Sequence, residues 1–162
     1  MDNIYPTLKE NINQRLLFEV SKNTMFSTTT DIWTADHLRV GFMAITIHYI
    51  DVDWNMKTLL ICFEEINVPH SGANIALVYK KAVEEFGIQN NILSCTLDNA
   101  SNNTNFVSVI KTDIDTKLNF LCDGEFFHSR CNGHIVNLIA QDGLAILKKD
   151  LTALRLIKIT LT

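Results

Sequence analysis

The sequence predicts an α/β fold: a mixed five-stranded sheet, in the order βββαβαβα, flanked by helices. Three observations carry this. Three stretches rich in β-branched and aromatic residues follow one another with only short polar interruptions. From residue 75 onward, segments with helical spacing alternate with short apolar runs. The composition, 162 residues with 47% apolar, 20% charged, 6 Gly and 2 Pro, is that of one domain able to bury roughly two-thirds of its unfolded surface without disulfide or metal. Disordered, collagen-like and low-complexity classes are excluded by the same numbers.

Each element follows in order. Residues 1–24 carry Tyr5, Leu8, Ile12, Leu16 and Val20 at helical spacing, with Pro6 in the first turn, and predict an N-terminal amphipathic helix. Met25 to Trp33 predicts a first strand that ends at Asp31 or just beyond. Arg39 to Ile50 and Thr58 to Ile66, separated by Asp51-Val52-Asp53-Trp54-Asn55, predict a hairpin, with Trp33 and Trp54 packing in the core or the hairpin. Ser71 is placed to cap a helix whose face is Ile75, Tyr79, Ala82, Val83 and Phe86, and Gly87 to end it. Ile92 to Leu97 is almost wholly apolar and predicts a strand buried on both faces. Phe106, Val107, Ile110, Ile114 and Leu118 mark the next helix. Glu125 to Cys131, containing Phe126-Phe127-His128, predicts a fifth strand, and Ile135, Leu138, Ile139, Leu144 and Leu147 a last helix running toward Lys149. The meander of the first three strands requires antiparallel pairing, and the later alternation requires parallel pairing through right-handed crossovers.

Fourteen Lys and Arg against 18 Asp and Glu leave a net charge of −4, so this chain by itself is not expected to grip nucleic acid by bulk electrostatics. Its longest apolar run, Leu59 to Phe63, is far shorter than the roughly 18 residues of a membrane span. Residues 1–6 lack a signal-peptide pattern, so a soluble, intracellular chain with no membrane association is expected. The four cysteines, Cys62, Cys95, Cys122 and Cys131, form no C-x-x-C pair and are expected as free thiols.

Two aspartates stand out by position. Asp31 lies near the end of the first strand and Asp98 directly follows the fourth. If those strands are parallel neighbours, both carboxylates stand at one edge of the sheet, where open α/β sheets place their ligands. Paired carboxylates are hard oxygen donors suited to Mg²⁺ or Mn²⁺, and two such ions support phosphodiester chemistry. An aspartate after a strand also serves as a turn former or helix cap, which Asp98-Asn99-Ala100-Ser101 suits. A second constellation, His128-Ser129-Arg130-Cys131-Asn132-Gly133-His134, contains Cys-x-x-His, half of a zinc site. Its further ligands would have to come from Cys95, Cys122, His128 or a carboxylate. The simpler alternative is a buried thiol with His134 hydrogen-bonded in a first helical turn.

Taken together, Thr29-Thr30-Asp31-Ile32-Trp33-Thr34, His48-Tyr49-Ile50-Asp51 with Trp54, His70-Ser71-Gly72-Ala73-Asn74-Ile75-Ala76, Thr96-Leu97-Asp98-Asn99-Ala100-Ser101-Asn102, residues 126–138 and Gln141-Asp142-Gly143-Leu144 resemble the hAT transposase superfamily. The likeness is to its RNase H-like catalytic core, as found in BED-finger transposases and their domesticated relatives. It implies that Asp31 and Asp98 match the first two carboxylates of an acidic triad holding catalytic Mg²⁺ or Mn²⁺. It also implies that Cys131 and His134 match a Cys-x-x-His motif that shapes the site, with Arg130, immediately before it, as a further supporting residue. The chemistry implied is DNA cleavage and strand transfer at transposon ends, in the nucleus.

The family's third carboxylate, a glutamate, lies beyond a long helical insertion, and none of Glu125, Asp142 or Asp150 matches it. On this reading residues 25–150 are a partial RNase H-like core, incomplete at the C-terminus, and residues 151–162 a divergent tail. The chain is expected to bind metal weakly and to be inactive alone. Homo-oligomers are expected only with the family's C-terminal region. The alternative is a domesticated, non-catalytic DNA-associated regulator or protein-interaction module.

Overall fold

The computed structural model describes residues 4–35, 40–66, 71–112 and 124–160. Helix α1 (Ile4–Ser21) is followed by β1 (Phe26–Ala35), β2 (Val40–Ile50) and β3 (Met56–Ile66). Then come α2 (Gly72–Glu85), β4 (Ile92–Leu97), α3 (Ser101–Thr112), β5 (His128–Arg130) and α4 (Asn132–Thr160). The chain divides into two compact units, residues 1–130 and residues 131–162.

In the first unit the five strands form one mixed sheet in the order β3-β2-β1-β4-β5. β1 pairs antiparallel with β2 and β2 with β3, while β1–β4 and β4–β5 are parallel. The α/β class and the order of elements are those the sequence predicts, and the condition set for the two aspartates, that the first and fourth strands be parallel neighbours, is met.

Period-two alternation decides which face of the sheet is buried. Met43, Ile45, Ile47 and Tyr49 of β2 are buried, as are Phe26, Thr28 and Thr30 of β1. Leu16 of α1, Ile75 and Tyr79 of α2 and Phe106 and Ile110 of α3 join them in one core. The Tyr79 ring meets Phe106 edge-on at 5.4 Å, and its hydroxyl lies 3.0 Å from Thr28 Oγ1. The Ser71 side chain accepts a hydrogen bond from Asn74 N (3.2 Å), and Gly87 adopts φ +65° just past the end of α2.

Several expectations change. β1 runs on to Ala35, because residues 31–35 pair with β2 alone after pairing with β4 has ended. β4 is not buried on both faces: Leu93 is exposed and Ser94 and Thr96 are half-buried. Leu8 of α1 is exposed, while Ile12, Leu16 and Val20 of the expected stripe reach the core. Trp54 is 87% exposed at φ +63°, because it sits at the tip of the β2–β3 turn, which the Asp51 carboxylate organises. β5 (His128–Arg130) is shorter than the expected segment Glu125 to Cys131 and lies inside it, with Phe126 and Phe127 preceding the strand. Ile114, Leu118 and Cys122 lie outside the described residues, as do His37 and His70.

In the second unit α4 runs from Asn132 to Thr160. Residues 151–160 are helical backbone within it. No helix is long and apolar enough to cross a membrane.

Candidate functional site

The site is built where β1 parts from β4. Their parallel register ends at Thr29↔Thr96. Asp31 and Asp98 each lie two residues beyond that last pair, so continuing the register sets them level with each other. They also continue the same face by alternation. Ser94 Oγ donates to Ser27 Oγ (3.1 Å), and Thr29 Oγ1 lies 3.2 Å from His48 Nε2, so this face carries a polar ladder opposite the core. Asp31 is exposed on it, with no ion pair or hydrogen bond among the described residues. Beyond it Trp33, Phe42 and Phe63 form an aromatic cluster with centroids 5.7–6.0 Å apart.

Asp98 is half-buried and its carboxylate is turned toward α3. Oδ1 accepts from Ala100 N (3.0 Å) and from Asn103 Nδ2, and Nδ2 also donates to the Asp98 carbonyl oxygen (2.9 Å). Of the two roles the sequence leaves open, turn former and helix cap, these bonds fill the turn-forming one, since Ala100 precedes α3 and Asn103 donates from its side chain. Oδ2 has no hydrogen bond among the described residues.

A pocket of about 110 Å³ opens beside Asp98, lined by Asn99, Ala100, Asn103, Thr104, His128 and Arg130. β5 brings the last two in: its parallel register sets Cys95 against His128 and Leu97 against Arg130. Arg130 is exposed, and His128 is half-buried, with Nε2 buried and unpartnered among the described residues. Burial, then the nearby Arg130 and Lys111 cations, push the His128 pKa below its ordinary value, so the imidazole is neutral at neutral pH. A second pocket joins Asp98 and Asn103 to Ile32 and Ile75. Asp31 lines neither pocket.

Cys131 and His134 belong to the second unit, where both are half-buried and Ile135 N donates to the Cys131 carbonyl oxygen (3.3 Å) in the first turn of α4. Of the other ligands considered for zinc, Cys95 is fully buried and 3.7 Å from Thr30 Oγ1. Burial pushes its thiol, like that of Cys62, up to about 11. Cys62, Cys95 and Cys131 are free thiols. Among the described residues no three His, Cys, Asp or Glu side chains cluster as a metal site.

Chemically, an unengaged Asp31 carboxylate and an unengaged Oδ2 on Asp98 fit a hard divalent ion. Mg²⁺ is characteristically held by one or two carboxylates and keeps several waters. Sequence reasoning reached both aspartates but gave His128 and Asn103 no place beside Asp98. For Arg130 the signal was the apolar fourth strand itself, whose parallel neighbour at the sheet edge delivers its C-terminal residue next to Leu97 and Asp98; His128, at the start of that three-residue strand, had no such signal.

Residues 29–126 match the family model described as the ZBED1 RNase-like domain. The chain is 39% identical over 123 residues to "Putative AC transposase" of Zea mays, an alignment covering 75% of this chain and 15% of the maize protein. It is 32% identical over 134 residues to "Putative transcriptional regulator tpeD" of Talaromyces stipitatus, covering 81% of this chain and 16% of that protein. It is 27% identical over 146 residues to "Zinc finger BED domain-containing protein RICESLEEPER 1" of Oryza sativa subsp. japonica, covering 88% and 19%. The chain thus spans less than a fifth of the length of each of these relatives.

Proposed function

Because the chain belongs to the ZBED1 RNase-like family of hAT transposase-like proteins, we propose that it is an RNase H-like transposase core whose ancestral chemistry is metal-dependent cleavage and strand transfer of DNA in the nucleus. The observation that carries this is the shared register of Asp31 and Asp98, two residues past Thr29↔Thr96 at one edge of the sheet. Asp31 and Asp98 would hold Mg²⁺ or Mn²⁺. A bound divalent ion supplies Lewis-acid polarisation of a phosphodiester and lowers the pKa of an attacking water. The chain's own part is to orient Asp98 through Ala100 and Asn103, and to present Asp31 from a strand fixed on one side by β2. With no third acidic side chain joining them among the described residues, residues 1–162 alone should hold metal weakly and not cleave.

Titration of the labelled chain with Mn²⁺ tests this. Paramagnetic broadening should centre on Asp31 and Asp98 and disappear in Asp98→Ala. Broadening elsewhere, or none at millimolar Mn²⁺, would remove the metal site. Plasmid nicking by the chain that is lost in Asp98→Ala would instead show a complete nuclease.

A second reading is favoured by the likeness to a protein named as a transcriptional regulator and by the hydrogen bonds that already occupy Asp98 Oδ1. In it the fold persists as a non-catalytic DNA-associated module and Asp98 is a turn former. That reading requires DNA association without Mn²⁺ binding.

A further inference from the structure

We infer that Arg130, with His128 beside it, anchors a phosphate of the DNA strand in the pocket next to Asp98. The inference rests on the transposase-core reading and deepens it by naming the substrate-holding side chain. β5 sets Arg130 level with Leu97, the residue before Asp98, and both Arg130 and Asp98 line the pocket. Arg130 shares that pocket with a carboxylate, yet makes no ion pair or hydrogen bond among the described residues. Asp98 Oδ1 is instead satisfied by Ala100 and Asn103. The guanidinium, with five donors in a planar fork and a permanent charge, is left for an anion from outside. A phosphodiester offers the two anionic oxygens such a fork takes.

Size and charge restrict the ligand further. About 110 Å³ is well below the roughly 300–1,000 Å³ of small-molecule sites, so the pocket suits a single phosphate group rather than a base or nucleoside. A chain of net charge −4 is not drawn to DNA by its overall charge, so attraction has to come from local groups. His128, neutral at neutral pH, adds a hydrogen-bonding ring without a second charge. Asn99 and Thr104 supply further polar groups around the same opening.

The test uses the whole chain, free of divalent ions, titrated with two 12-base-pair duplexes of unrelated sequence and followed by amide shifts across a salt series. Shifts are expected at residues 99–104 and 128–130 with both duplexes. Arg130→Gln should weaken both by the same factor, about tenfold, and lower the slope of log affinity against log salt by about one, as loss of one phosphate contact requires. An unchanged melting temperature in the exposed Arg130→Gln variant separates this from unfolding. Shifts confined to other surfaces, no binding of either duplex, or an unaltered salt slope in the variant would overturn the assignment. With no metal present, failure here is distinct from failure of the Mn²⁺ experiment, which tests Asp31 and Asp98 alone.

Discussion

At the scale of single residues, two aspartates show how hydrogen bonding fixes what a carboxylate can do. Asn103 is buried, and its amide donates twice to Asp98, once to the backbone and once to the side chain. Asn103→Ala should cost about 1–3 kcal/mol, since a buried partner of both groups is lost. It should also weaken Mn²⁺ binding about tenfold through lost orientation of the ligand. Melting and Mn²⁺ titration of one variant measure both; intact Mn²⁺ affinity would show that Asn103 only holds the turn. Asp51 is the contrasting case. Its Oδ1 accepts from Asp53 N (3.1 Å) and Asn55 N (2.8 Å), and Lys57 Nζ stands 3.2 Å from Oδ2. The Asn55 N–H, then Lys57, hold its carboxyl below the ordinary 3.8, against the effect of burial. A depressed folded-state pKa means stability that is present above about pH 4 and lost as pH falls through the folded value. Asp51→Asn should therefore melt below the wild type at pH 7, and the gap should close as the pH falls below about 4. A gap independent of pH would assign the effect to the turn's geometry instead of the charge.

At the scale of elements, what was legible in the sequence is what periodicity and capping chemistry encode. Ser71 and Gly87 bracket α2, and the run Ile92 to Leu97 is β4 end to end. The extension of β1 past Asp31 was not legible, because it depends on β2 supplying partners down to Ala35↔Val40, a pairing no local pattern states. The same holds for the site. The two aspartates could be named from their strand positions, and Asn103 reaches Asp98 locally, from the first turn of α3 five residues on, whereas His128 comes beside Asp98 only through the placement of β5. Gly72 was quoted in the sequence only as part of a motif, and packing gives its reason. A Cβ there would stand 2.5 Å from Phe106 N and 2.7 Å from Asn105 Cβ, so α2 and α3 cross at a distance only glycine allows. Gly72→Ala must part the two helices at a cost of about 1–3 kcal/mol. Because α3 carries the Asp98 partner, the amides of residues 98–104 should shift in that variant. A Gly72→Ala chain with wild-type melting and unmoved amides would show that the crossing is not as close as described.

At the scale of the whole molecule, the described residues of the first unit share one core that ties the helices to the sheet. Phe106 lies at its centre, fully buried against Tyr79, and Tyr79 reaches Thr28 of β1. Removing that ring, as in Phe106→Ala, should cost about 3–5 kcal/mol, a large share of the 5–15 kcal/mol typical of a domain. The loss should not stay in α3. Trp33 sits on the opposite face of the sheet, packed with Phe42 and Phe63, and Trp54 is almost fully exposed, so a change in tryptophan emission on unfolding reports chiefly Trp33. Cys95 is fully buried within the core and labels only when β4 opens. If the unit is cooperative, Trp33 emission and peptide-resolved labelling of Cys95 should share one denaturant midpoint, and Phe106→Ala should lower both together. Separate midpoints would mean that the β1–β3 meander, which carries Asp31, holds without the β4–α3 half, which carries Asp98. The two carboxylates would then be set side by side only as long as the weaker half stays folded, and metal binding would track the stability of α3, not that of the sheet.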